Sequence, residues 1–185
     1  MKRILLAGLL GGLVVFVWGA ISHMLLPIGT MGLRSLPNED AVLEVFRTSV
    51  PEAGLYFFPG MNPSDTSKEA QEAFAAKYRT GPAGLLVYRP IGGDVLSPRQ
   101  LVTELLTNIL GALLAAWVVA RTRGTYLQRA VLVGSLGLFA WISISLSYWN
   151  WYGFPTAFIC AEGIDQVVGW LLGGLVIAKL APAAD

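Results

Sequence analysis

Charge is scarce in this chain, and sulfur and imidazole scarcer still. Only 14% of its residues are Asp, Glu, Lys or Arg, while 55% are hydrophobic; an ordinary soluble domain carries about 25% charged residues. The formal net charge is +1. No basic run interleaved with aromatics occurs, so the electrostatic footprint of a nucleic-acid binder is missing. The single cysteine, Cys160, excludes an intrachain disulfide framework and a thiolate zinc site. Because it lies in an apolar stretch, it is expected to be a buried, inert thiol. The single histidine, His23, leaves neither the Glu-x-x-His pair of di-iron bundles nor a His-Glu-x-x-His motif, and is too little for a bundle haem. The glycine-rich stretches lie in apolar runs and match no phosphate loop. No cofactor is therefore assigned from the sequence.

What the chain has instead is long apolar runs. Four stand out: Ile4 to Leu26, Leu101 to Ala120, Ala130 to about Leu146, and Ala157 to Leu180. A span needs about 20 largely apolar residues at a rise of about 1.5 Å each, and the third run reaches that length if Tyr148 and Trp149 serve as its interfacial end. The expected fold is an all-α membrane protein, a four-transmembrane-helix bundle. Residues 1–26 form its first helix, 27–97 a small α+β insertion outside the membrane, and 98–185 the other three helices. Met1-Lys2-Arg3 ahead of an apolar run also resembles a secretory signal. That run is longer than the usual core of about 7–15 residues, and Trp18 spoils a small-x-small site at Ala20, so an uncleaved anchor is expected.

Basic residues set the expected topology. Lys2 and Arg3 precede the first run, Arg121, Arg123 and Arg129 fall between the second and third, and Lys179 ends the fourth. The link Asn150 to Thr156 carries no charge. The positive-inside rule then puts both termini and the arginine loop in the cytoplasm, and the insertion on the periplasmic side of a bacterial inner membrane.

Within the insertion, Asn38 is expected to cap a helix through about Arg47, with Glu39 and Asp40 in its first turn. Gly54-Leu55-Tyr56-Phe57-Phe58 and Gly84-Leu85-Leu86-Val87-Tyr88 read as strands. Between them, Thr66 and Glu69 suggest a capping box opening a helix to about Tyr78, with Ala70, Phe74 and Tyr78 on one face. A two-stranded sheet is marginal alone, so this module is expected to pack on the bundle or on a protein partner. Ser97-Pro98-Arg99-Gln100 is a further capping box opening the second span.

Glycine spacing marks close helix approach: Gly8 and Gly12 in the first run, Gly169 and Gly173 in the fourth. Packing within one bundle outweighs a homo-oligomer contact as the expectation. Tyr148, Trp149, Trp151 and Tyr152 fall in an aromatic cluster that reads as an interfacial belt, or more sharply as a lipid or partner contact.

The polar residues inside these runs are the functional candidates, since an ionisable group there costs roughly 2.5–3.5 kcal/mol on insertion scales. His23, Glu104, Asn108, Glu162, Asp165 and Gln166 fall in the outer half of their segments and Asn150 just beyond the outer end of the third, so all are expected in the outer half of the bundle, the inner half being almost purely apolar. Glu162, Asp165, Gln166, Gly169 and Gly173 share one helical stripe, and Glu104 and Asn108 share another. The expectation is an outward-facing polar pocket in a non-enzymatic accessory or binding subunit, in contact with the lipid bilayer and with a protein partner. Two alternatives stand beside it. One is a small transporter or a cation- or lipid-binding protein using Glu104, Glu162 and Asp165. The other is an intramembrane enzyme with His23 as acid or base toward Ser143, Ser145 or Ser147.

Overall fold

The structure, a computed structural model, describes residues 1–184. It divides into two compact units, Arg34–Val95 and the remainder, in which Met1–Leu33 joins the chain from Leu96 on. Four helices are long and apolar enough to cross a membrane, Lys2–Met24, Pro98–Val119, Tyr126–Tyr152 and Thr156–Leu180, and they point to an integral membrane protein.

In the larger unit, α1 (Lys2–Met24) leads through a 3-10 turn at Pro27–Thr30. α4 (Pro98–Val119) starts at the expected capping box: Ser97 Oγ accepts from the Gln100 N–H, and the Gln100 side chain accepts from the Ser97 N–H. A second capping box, Thr125 with Gln128, opens α5 (Tyr126–Ala140). The third long helix then widens to π geometry over Trp141–Ser145 and continues as α6 (Leu146–Tyr152). It therefore runs past Leu146, through Tyr148 and Trp149 at its interfacial end, and takes in Asn150, Trp151 and Tyr152 from the expected link. Gly153, with φ of 71°, stops it in the left-handed conformation glycine tolerates. α7 (Thr156–Leu180) follows after Pro155.

α7 packs along both α5 and α1, and α1 packs along α4; α4 and α5 barely touch. The lateral order is thus α4, α1, α7, α5, with α1 and α7 in the middle. Glycines let the two middle helices approach their neighbours. A methyl group added at Gly12 would lie 2.5 Å from Ile109 Cα, and one at Gly8 would lie 2.8 Å from Leu113 Cα, so this pair seats α4 on α1. On α7, Gly173 meets Val15 and the Gly11 carbonyl, while Gly174 meets Ala130 and Val133. The core between them consists of small or branched residues, among them Ala7, Ala112, Ala116, Val119, Val133 and Ile177.

The end of this unit where the basic residues gather contains a buried cation. Arg129 belongs to the first turn of α5, not to a loop, and only 7% of it is exposed. Its Nη2 donates to the carbonyls of Ala181 (2.9 Å) and Pro182 (2.8 Å), while Arg3 Nε donates to Leu180 O at 3.2 Å. The last carbonyls of a helix lack partners within it and carry partial negative charge. Two arginines from other helices satisfy them here, at the expense of an unpartnered Arg129 Nε.

The smaller unit contains α2 (Glu39–Ser49), β1 (Gly54–Phe58), α3 (Lys68–Thr80) and β2 (Gly84–Tyr88). The strands pair antiparallel, Leu55 opposite Val87 and Phe57 opposite Leu85. Asn38 stands at the start of α2 in the left-handed region and makes no side-chain cap. The cap of α3 is Ser67, not Thr66; its Oγ accepts from the Ala70 N–H. The Asp65 carboxylate in turn faces the Ser67 hydroxyl and accepts from the Ser67 N–H, and these two interactions, the hydroxyl first, hold its pKa below the ordinary value. Phe74, Tyr78 and Phe57 form a ring ladder with centroids 5.8 and 6.3 Å apart, and Phe46 meets Tyr88 edge-on. No residue of these four elements is fully buried.

Candidate functional site

Four tryptophan indoles donate hydrogen bonds to groups on α7. Trp18 Nε1 donates to Asp165 O (3.2 Å), Trp141 Nε1 to Ile159 O (2.8 Å), Trp149 Nε1 to Thr156 Oγ1 (3.1 Å) and Trp170 Nε1 to Gln166 Oε1 (3.1 Å). The first half of α7 is therefore held from both sides, by α1 and by the third helix. An indole needs a partner when it leaves water, and the already bonded carbonyls of a helix can share a second donor.

Where the third helix widens, a cavity of about 400 Å³ opens between it and α7. Trp141, Ile144, Ser145 and Tyr148 line it from the wide turn and the turn beyond, Phe154 from the link, and Phe158, Ile159, Glu162 and Gln166 from α7. A π turn carries one extra residue per turn and opens a gap in the packing, which is why such turns concentrate at binding and catalytic sites. Gly163 allows the close approach beside it: a methyl group there would lie 2.8 Å from the Trp141 ring. The rings of Tyr148 and Phe154 stack with centroids 5.4 Å apart, and Phe154 meets Phe158 at 5.6 Å. The lining is thus a wall of aromatic faces with one carboxylate, one amide and the hydroxyls of Ser145 and Tyr148. It contains no Lys, Arg or His. Glu162 makes no hydrogen bond or ion pair with any described residue, and the ionisable groups within electrostatic reach of it are Asp165 and His23. Gln166 uses its oxygen on Trp170 and keeps its amide N–H groups.

Of the residues singled out from the sequence, Glu162, Gln166, Tyr148 and Ser145 line this cavity; the other polar and aromatic candidates do not. Asp165 sits one step around α7, toward α1, with Oδ1 buried and unpartnered. The expected single stripe of α7 is therefore split between two neighbours, Gly169 meeting Trp18 of α1 while Glu162 and Gln166 face the third helix. Glu104 and Asn108 pair with each other, Asn108 Nδ2 donating to Glu104 Oε1 at 3.1 Å on α4. α1 stands between most of α4 and α7, which keeps that pair apart from Glu162. Asn150, Trp149, Trp151 and Tyr152 are exposed on α6. Cys160 is exposed too, contrary to expectation, because it occupies the side of α7 turned away from the neighbouring helices.

His23 is tied to its own helix. The Gly19 carbonyl lies 3.1 Å from both Ser22 Oγ and His23 Nδ1, and those two atoms are 2.9 Å apart. The Gly19 carbonyl only accepts, so a hydrogen on Nδ1 would serve it and leave Nε2 as the basic ring nitrogen. Ser22 is also fully buried. None of Ser143, Ser145 and Ser147 bonds to His23. Among the described residues no three His, Cys, Asp or Glu side chains come close enough to hold a metal ion.

The wide turn at Trp141–Ser145 and the Arg129 clamp are the features that sequence reasoning missed. The signal for Arg129 was its position directly after the Thr125-Gln128 capping pattern, which places it inside the helix rather than before it. The chain matches no protein-family model, no curated protein and no solved structure.

Proposed function

We propose that this is a non-enzymatic binding subunit of a bacterial inner membrane. Its four long helices span the bilayer as a bundle, both termini are cytoplasmic, and residues 34–95 face the periplasm. The binding site is the cavity between the third helix and α7. One observation carries the reading: a cavity of about 400 Å³, of the size that ligand pockets occupy, opens at a π turn and puts an unpartnered carboxylate, Glu162, at an aromatic wall. Apolar walls with a few polar groups fit an amphiphile that dissolves in the membrane. The accessory role is supported by the smaller unit, whose strands leave Leu55 and Val87 at 68% and 75% exposed on one face. Such a sheet is marginal alone and suits a protein partner. No serine of the third helix bonds to His23, which is why an enzyme is the weaker reading.

Native mass spectrometry of the protein released from its own membranes tests the binding role. The wild type is expected to retain an amphiphile adduct. Ile144→Trp, which fills the cavity from a residue that is 53% exposed and so tolerant of size, is expected to retain none. A wild type without an adduct, or one kept equally by both proteins, would count against it.

A further inference from the structure

Resting on the binding role proposed above, we infer that the ligand of this cavity carries a cationic, amine-type head, which the Glu162 carboxylate holds against the aromatic wall. The inference starts from charge. A carboxylate partly withdrawn from water gains from a counter-charge, and Glu162, half-buried, has no hydrogen-bond or ion-pair partner among the described residues. The cavity supplies no counter-charge of its own, because its lining has no Lys, Arg or His. Asp165 adds a second negative group within electrostatic reach. His23 lies within the same reach but makes no ion pair with Glu162, and its Nδ1 lies against Gly19 O and Ser22 Oγ of its own helix. An anionic head would meet repulsion from both carboxylates.

The walls select in the same direction. Tyr148, Phe154 and Phe158 present neighbouring rings. An aromatic face carries negative quadrupole density and attracts ammonium or quaternary ammonium groups, most strongly where water is excluded. A carboxylate at one end of an aromatic enclosure is the usual chemistry for such cations. The apolar remainder, including Ile144 and Ile159, suits the chain attached to the head. A metal cation is a poorer match, since one carboxylate with an amide and two hydroxyls falls short of the oxygen ligands such an ion requires.

The test uses the full-length protein in vesicles of zwitterionic phospholipid, with brominated amphiphiles added at low mole fraction. All probes share one chain and differ only in the head: trimethylammonium, hydroxyl or phosphate. Bromine quenches tryptophan at short range, and Trp141 lines the cavity. The trimethylammonium probe is expected to quench saturably, with half-saturation at a mole fraction about tenfold lower than either other head. Glu162→Gln, which keeps the shape and removes the charge, is expected to bring the three heads within about twofold of one another. Saturable quenching by all heads alike in the wild type would overturn the cationic ligand and leave the binding role standing. No saturable quenching by any head would overturn both. A cationic preference that survives Glu162→Gln would overturn the assignment to Glu162. The wild-type head series decides the matter even if the variant folds poorly.

Discussion

Replacing Gly12 by Ala should loosen the contact on which α4 is seated, and the structure sets the size of the effect. The new methyl carbon would lie 2.5 Å from Ile109 Cα and 2.8 Å from Ile109 N. Carbon atoms in contact prefer about 3.5–4.0 Å, and the clash is with backbone, so no rotamer change relieves it. The helices must part by roughly 1 Å, and a gap of about 0.5–1 Å already forfeits a quarter to a half of each dispersion contact along the seam. Overpacking of this kind costs about 1–3 kcal/mol. Against it stands the better helix propensity of Ala, worth up to about 1 kcal/mol. Gly19 provides the control, because a methyl group there meets nothing within 4 Å. Gly19→Ala gains the propensity term without the clash. The difference between the two variants therefore isolates the packing cost and should be about 1–3 kcal/mol, Gly12→Ala being the less stable. Thermal unfolding in one detergent, followed by near-ultraviolet circular dichroism, measures it. A Gly12→Ala protein as stable as Gly19→Ala would refute the close seating of α4 on α1.

Three further outcomes are expected. Arg129→Leu should lower stability by about 2–4 kcal/mol, since it leaves the Ala181 and Pro182 carbonyls without their charged donor. Arg121→Leu removes a cation that stacks over Trp117 at the exposed surface and should cost under about 1 kcal/mol; equal losses in the two unfolding curves would contradict the clamp. Trp141→Phe should cost about 1 kcal/mol through the lost bond to Ile159 O, and stability equal to wild type would show that the bond is not made. In the smaller unit, Asp65 has a carboxyl pKa below its ordinary value in the folded state. Its contribution is present above the unfolded pKa and lost as pH falls through the folded one. Amide exchange at Ser67 should accelerate over that acid range, and Asp65→Asn should remove the pH dependence; acceleration that persists in the variant would rule Asp65 out.

The long helices and the strands were legible in the sequence, and direction around each helix was not. The four apolar runs, the Ser97-Gln100 capping box and both strands can be read from period and local chemistry, because each depends on neighbours within a few residues. The length of the third helix could not be read that way. Tyr148 to Tyr152 are poor in the aliphatic residues that define a span, yet they continue the helix until Gly153 stops it. The π turn leaves no mark in composition, since Trp141-Ile142-Ser143-Ile144-Ser145 would pass as ordinary helix. The same limit split the polar set. Glu104 and Glu162 fall in the same half of their segments, but which neighbour each faces depends on the lateral order α4, α1, α7, α5, a property of the whole packing.

An experimental structure in lipid nanodiscs, at a resolution that shows side chains, tests the binding site most directly. The expected result is a π turn at Trp141–Ser145 with elongated non-protein density between Trp141, Phe158 and Glu162. A regular α-helix through Ser145, with Tyr148 and Phe154 collapsed onto Glu162 and no space left, would contradict it.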